Sequence, residues 1–164
     1  MKLEHIDKNV RWVSAGLAIF KKALPLQILL VQYRLPNNKT VVEIPKGIVD
    51  NGENVLDAAV RETVEETCLD RDDIEIVHSI KPLVYKYMSW LHSFENTGIK
   101  KLYVYPAICT VCRICPKTSE ADKVFFVEFD KAIQLMTKRQ IVSWLIQIKP
   151  DIEDIILQKL TSDR

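Results

Sequence analysis

The chain has 164 residues, 48% hydrophobic and 27% charged, with 4 Gly and 7 Pro, proportions of one globular domain that exclude a collagen or a disordered tail. Its 23 Lys and Arg against 22 Asp and Glu leave a formal charge of +1, so no overall positive field holds nucleic acid or anionic lipid, and an anionic ligand has to be gripped locally. No apolar run approaches the ~18 residues of a membrane span, and MKLEHIDKNVRW lacks the apolar stretch and cleavage site of a secretory signal. The expected compartment is therefore the cytoplasm, and the four cysteines are expected as reduced thiols rather than a disulfide framework.

In chain order, Val10 to Phe20 and Leu26 to Tyr33 read as strands separated by the KKALP turn, and Thr40 to Ile44 as a third strand stopped by Pro45 and Gly47. Asn54 to Thr67 is the first expected helix. Leu56, Ala59, Val60, Thr63 and Thr67 recur there at the spacing of one buried face, and Asn54 is placed to cap it. Ile74 to Ile80, Leu83 to Tyr87, Leu102 to Cys112 and Val124 to Phe129 read as further strands, with HSFENTGIKK (92–101) as a polar surface loop. From Asp130 the pattern is helical through DKAIQLMTK and RQIVSWLIQI, with Pro150 expected to break the run before DIEDIILQKL. No repeat or linker divides the chain, and this order of elements predicts an α/β fold, a mixed sheet covered by helices on its faces.

The chemistry concentrates in GIVDNGENVLDAAVRETVEETCL (47–69). At about 100° per residue, Glu62, Glu65 and Glu66 fall on one side of the helix, away from Leu56, Val60 and Thr63. Like charges at these spacings cost an isolated helix roughly 0.2 to 0.5 kcal/mol per pair. Such a helix either spreads them into water, as most charged faces do, or brings them a cation. A hard divalent ion such as Mg2+, with Mn2+ as a substitute, suits a few carboxylates next to a phosphate-bearing ligand. Glu53 adds a fourth acid, and Arg61 can pair with Glu53 or Glu65 and hold a carboxylate in position.

The same segment resembles the Nudix hydrolase signature Gx5Ex7REUxEExGU, where U is aliphatic. Gly47, Glu53, Arg61, Glu62, Glu65 and Glu66 fall in register and Leu69 fits the final U; six of seven fixed letters agree, which chance supplies on the order of 10⁻⁶ times per starting position. VSAGLAIF, EIPKG and VFFVEFDKAIQLM resemble flanking parts of the family, so the likeness runs over roughly residues 10 to 140. It implies an α/β/α sandwich with a mixed sheet between helices, as a single domain over 1–164 with its core at about 10–148 and a C-terminal helical segment at 151–160. It also implies a divalent-cation requirement and hydrolysis of a nucleoside diphosphate linked to another group. By position, Glu62, Glu65, Glu66 and the Gly47 carbonyl would hold the metal, and Glu53 with Arg61 would support them. Cys68 stands where the signature has Gly, at a helix end that favours a left-handed residue, and Thr63 replaces an aliphatic residue on the buried face.

Glu120 precedes the last strand where family members carry a further acid near the metal, with Glu128 as its substitute. Lys46 abuts the metal loop and could hold a phosphate. Lys81, Lys86, Lys100 and Lys101, interleaved with Tyr85, Tyr87, Trp90, Tyr103 and Tyr105, suit phosphate binding and base stacking, with Lys81, Lys86, Lys101, Tyr87 and Tyr103 as the residues expected to bind substrate beside Lys46. Family members with PKG at this point act on dinucleoside polyphosphates or triphosphate-ended RNA, so a dinucleoside polyphosphate such as diadenosine tetraphosphate is the expected substrate. ADP-ribose and an RNA 5′ end are the alternatives, and a catalytically silent nucleotide-binding domain is the non-enzyme alternative. The chain is expected as a monomer or homodimer with no membrane partner. Cys109, Cys112 and Cys115 in CTVCRIC look like half a metal site, but on a strand Cys112 would face away from the other two, and no fourth ligand stands near. His5, His78 and His92 are scattered and support no nucleophilic triad.

Overall fold

Val10–Lys21 forms β1. Val13, Ala15, Leu17 and Ile19 on it feed one apolar core, while Ala18 and Phe20 feed another on the opposite face. β2 (Gln27–Arg34) behaves likewise, with Leu29 and Val31 on the first side and Ile28 and Leu30 on the second. Strands apolar on both faces must be covered on both. The computed structural model, which describes residues 9–91 and 93–163, covers them with three helices. α1 (Val55–Thr67) lies on the first core through Val55, Ala58, Ala59 and Val60. α2 (Phe129–Leu135) and α3 (Arg139–Ser162) close the second through Phe129, Ala132, Trp144, Leu145 and Ile148. This is the α/β/α sandwich that the sequence predicts.

The strands make one eight-stranded sheet. β1 runs parallel to β7 (Ser93–Cys109) from Val10 opposite Ile99 to Lys21 opposite Cys109. The other pairings are antiparallel. β3 (Thr40–Glu43) and β8 (Lys123–Glu128) flank β2. β4 (Lys46–Ile48) lies along β1, and β5 (Ile74–Ile76) and β6 (Leu83–Leu91) pair with β7. Gly16 lets β4 approach, because a Cβ there would collide with the backbone of Pro45 and Lys46.

Four expectations are corrected. Of the segment 92–101 expected as a surface loop, the residues from Ser93 belong to β7, where Ile99 and Lys100 pair with β6 on one side and β1 on the other. Hairpin pairing with β6, joined by β1 from Ile99 onward, holds it extended without an alternating apolar pattern. Of Ile74 to Ile80 only Ile74–Ile76 is strand, after which the Val77 N–H turns to the Pro106 carbonyl at 2.9 Å. The strand expected to reach Cys112 ends at Cys109, and 110–122 is irregular. Pro150 does not break the helix, since α3 runs through it. Pro150 is exposed, while Ile152 and Ile156 beyond it are 0% exposed. Burying those two side chains is worth ~1.5 to 3 kcal/mol each, enough to offset the ~3 kcal/mol of an interior proline. Among the described residues no helix is long and apolar enough to cross a membrane.

Candidate active site

α1 starts and stops where its sequence says it should. The Asn54 side chain accepts from the N–H groups of Leu56 (2.9 Å) and Asp57 (3.4 Å), a cap worth ~1 kcal/mol. The buried hydroxyls of Thr63 and Thr67 donate to the carbonyls of Ala59 (2.8 Å) and Thr63 (2.6 Å), so the threonine that replaces an aliphatic residue leaves no polar atom unpaired. Cys68 ends the helix at φ 61°, ψ 14°, the left-handed turn the signature assigns to glycine, made here by a residue with a Cβ.

Along the outer side of α1, Arg61 gathers the acids. Its Nε and Nη2 donate to the two oxygens of Glu53 (2.8 and 2.9 Å), and its Nη1 donates to Glu62 (2.9 Å) and Glu65 (3.1 Å). A further bond from Nη2 to the Ile48 carbonyl (3.0 Å) ties the guanidinium to β4. The bidentate bond from Arg61 lowers the Glu53 pKa. Burial raises that of Glu62 despite the same guanidinium. Glu62, Glu65 and Glu120 bring one carboxylate oxygen each to within 4.8 Å of one another. Gly47 sits against Glu62, because a Cβ at 47 would overlap the Glu62 carboxylate. Three hard oxygen donors this close fit a divalent cation, which would relieve their mutual repulsion.

Glu66 is not one of that trio but lies close enough to feel the charges of Glu62 and Glu120. Its Oε2 accepts the Lys46 N–H at 2.9 Å, and burial, only partly opposed by Lys46, pushes its pKa up to about 8. The Lys46 side chain turns into a cavity of about 430 Å³ lined by Tyr33, Glu43, Tyr87, Lys100 and Lys138. There its Nζ lies 2.8 Å from the buried Glu43 carboxylate. Burial works against both charges, but the pairing outweighs it, holding Lys46 above and Glu43 below their ordinary values. Tyr33 donates to Glu43 at 2.6 Å, and Lys138 donates to the Tyr87 hydroxyl at 3.1 Å while standing 3.8 Å from Glu43. Lys100 is pulled down to about 8, by burial first and then by the ammoniums of Lys46 and Lys138. The cavity thus holds three lysines to one glutamate, beside the carboxylate trio.

The sequence profile of the NUDIX domain matches residues 10–145. The chain belongs to the Nudix family. A Caenorhabditis elegans protein named, itself by inference, nudix hydrolase 2 is 46% identical over 71 residues, a match that takes in 39% of this chain and about a third (32%) of that protein. Among solved structures, the C. elegans Ap4A hydrolase in a binary complex superposes with a TM-score of 0.71 at 22% identity, over 87% of this chain and 98% of that one. A Listeria monocytogenes Nudix hydrolase gives 0.69 at 20% identity, over 88% and 96%. The Nudix domain of Shewanella oneidensis NrtR, solved with ADP ribose, gives 0.63 at 14% identity, over 91% and 94%. At these identities the structures establish a shared Nudix fold.

The Nudix box residues and Glu120 are brought together, with Glu120 rather than Glu66 completing the closest carboxylate group. Glu128 is elsewhere, exposed at the start of α2. Of the residues expected to bind substrate, Lys46 and Tyr87 line the lysine cavity, and the others do not. Lys81 lines a different cavity, with Trp144 and Asp151 against α3. Lys86 is exposed and sits between Tyr85 and Tyr87, which pack toward the α2–α3 core, so alternation turns it outward. Tyr103 is 6% exposed in the core under α1, with Lys101 5.0 Å from its ring centre. It has no free face on which to stack a base. Lys100, one of the interleaved cations of the sequence, does line the cavity, whereas its neighbour Lys101 does not. Sequence reasoning missed Tyr33, Glu43 and Lys138. Glu43, an acid inside a β-branched strand three residues before Lys46, is a readable signal, and nothing local marks Lys138.

The cysteines also differ from expectation. Cys68 and Cys115 form a disulfide, while Cys109 and Cys112 are free. The partners lie 47 residues apart, a pairing that only the fold reveals. Because the strand ends at Cys109, the alternation argument does not reach Cys112, whose Sγ instead donates to the Cys109 carbonyl at 3.4 Å. His78 is exposed, and His5 and His92 lie outside the described residues.

Proposed function

We propose that this chain is a divalent-metal-dependent pyrophosphohydrolase acting on a nucleoside diphosphate linked to another group, with a dinucleoside polyphosphate such as diadenosine tetraphosphate as its preferred substrate. The observation that carries the reading is the convergence of Glu62, Glu65 and Glu120 beside Arg61 and the lysine cavity. Those carboxylates, with Glu66 and the Gly47 carbonyl close by, would hold Mg2+ or Mn2+. When bound, such an ion supplies Lewis-acid stabilisation of charge on the phosphoryl oxygens and acidifies an attacking water. The chain's own groups orient the rest. Arg61 fixes Glu53, Glu62 and Glu65 relative to β4, and the Lys46 N–H fixes Glu66.

Fold alone does not choose the substrate, since the neighbours include one named for Ap4A hydrolysis and one solved with ADP ribose. The cavity favours the longer chain of phosphates. Lys46, Lys100 and Lys138 around Glu43 leave an excess of two positive charges next to the carboxylate trio, which a phosphate chain extending past the cleaved bond would neutralise. The test is kcat/KM for diadenosine tetraphosphate, ADP-ribose and a triphosphate-ended oligonucleotide, with Mg2+ and with Mn2+. Diadenosine tetraphosphate is expected to lead. ADP-ribose ahead by tenfold, about 1.4 kcal/mol of transition-state preference, would overturn the substrate reading. Binding of all three without turnover would leave the silent nucleotide-binding domain.

A further inference from the structure

The left-handed position that ends α1 is one that glycine fills without strain and a residue with a Cβ does not. This chain places an exposed cysteine there and joins it to Cys115. Cys115 belongs to 110–122, a segment with no helix or strand that carries Glu120. Three ties hold that segment to the end of α1. The disulfide is one, and the Cys115 N–H donating to the Thr67 carbonyl at 3.0 Å is the second. The third is the Thr118 hydroxyl, which donates to the Glu66 carbonyl at 3.2 Å while accepting from the N–H groups of Glu120 (3.3 Å) and Ala121 (3.0 Å). Glu120 is the one member of the carboxylate trio that does not stand on α1, so its place relative to Glu62 and Glu65 depends on these ties.

We propose that the Cys68–Cys115 bridge is a thiol–disulfide exchange site through which a dithiol reductant weakens the grip of Glu62, Glu65 and Glu120 on a divalent cation. The proposal rests on those three carboxylates being metal ligands. A thiolate of the reductant attacks one sulfur, the S–S bond breaks, and the departing sulfur takes up a proton. The reductant's second thiol then displaces the mixed disulfide. Two electrons and two protons pass to the protein, leaving Cys68 and Cys115 as thiols and the reductant as a disulfide. Cys68 is exposed and Cys115 half-buried, so a small dithiol or a dithiol protein reaches the bond. With the covalent tie gone, two hydrogen bonds and the packing of Ile114 and Ala121 in the core beneath α1 still hold the segment, but its link at Cys115 is looser and Glu120 spends less time where the other two carboxylates need it. In a reducing compartment a bridge of this kind acts as a sensor rather than a permanent staple.

The experiment uses the full chain purified without reductant. Alkylation and peptide mapping are expected to find Cys68 linked to Cys115, and dithiothreitol to release both as thiols. After desalting, Mn2+ affinity is measured by electron paramagnetic resonance with no nucleotide present. Reduction is expected to raise the dissociation constant at least fivefold, and re-oxidation to restore it. Cys115→Ser should match the reduced protein and ignore dithiothreitol. Cys68→Gly, which removes the bridge and gives the helix end its unstrained residue, should do the same and so separates loss of the bridge from damage to the cap. Affinities within twofold in the two redox states, or no bridge in the unreduced protein, would overturn the proposal and leave the metal site standing. Absence of Mn2+ binding in either state would overturn both.

Discussion

Arg61 bonds to Glu53, Glu62 and Glu65 at once, which makes a single guanidinium the frame of the carboxylate cluster. An acid in such a frame acts through its charge, so Glu65→Gln should lower kcat by roughly 10² to 10⁴, and Glu66→Gln, whose carboxylate the Lys46 N–H holds instead, should do the same. The far-UV circular dichroism should be unchanged. Turnover near that of the wild type in either variant would remove that residue from the metal site. Glu43 is a different case, because its 4% exposure and its partner Lys46 make it structural as well. Glu43→Gln leaves a buried ammonium without its carboxylate and should cost ~3 to 5 kcal/mol at neutral pH, read from urea unfolding. The sign of the acid dependence follows from the lowered pKa. Glu43 contributes stability above its ordinary 4.5, and this is lost as pH falls through the lower folded value. The stability of the wild type should therefore decline below about pH 4.5 more steeply than that of Glu43→Gln.

At the scale of elements, α1 was legible almost to the residue, because cap, periodicity and charged face all point to the same thirteen positions. The β6–β7 pair was not. Its polar residues stay extended because Met88 to Leu91 pair with Ser93 to Ile99 as a hairpin, with β1 joining only from Ile99 onward, and backbone pairing of this kind needs no alternating apolar pattern. That error put Lys100 on a loop, whereas β7 sets it into the lysine cavity. α3 was misjudged for the opposite reason: a strong local signal, Pro150, was overruled by the tertiary burial of Ile152 and Ile156. Pro150 still removes a helix hydrogen bond while facing solvent, so Pro150→Ala should stabilise the protein by roughly 1 to 3 kcal/mol. Equilibrium unfolding measures this, and an unchanged midpoint would mean that the helix already relaxes around the ring.

For the molecule as a whole, a charge of +1 leaves positive potential to be concentrated locally, and three lysines line one cavity with a single glutamate. The carboxylates stand outside two apolar cores that close without them. Chelation is therefore expected to stop turnover while leaving the circular dichroism native-like, with only the modest loss of thermal stability that follows from losing a bound ligand. Global unfolding by a chelator would instead make the metal part of the fold. The parallel pairing of β1 with β7 has its own consequence for the order in which the protein acquires structure. Lys21 and its partner Cys109 are separated by 88 residues, and on a ribosome adding about 5 to 20 residues per second the first strand waits roughly 5 to 20 s for its neighbour. During that wait Leu17, Ile19 and Phe20 have no finished sheet to enter, and the floor beneath α1 is incomplete. The nascent chain is thus most exposed to aggregation just before β7 emerges, and a chain halted ahead of Cys109 would carry every residue of the Nudix box on a floor that still lacks part of β7, and without Glu120.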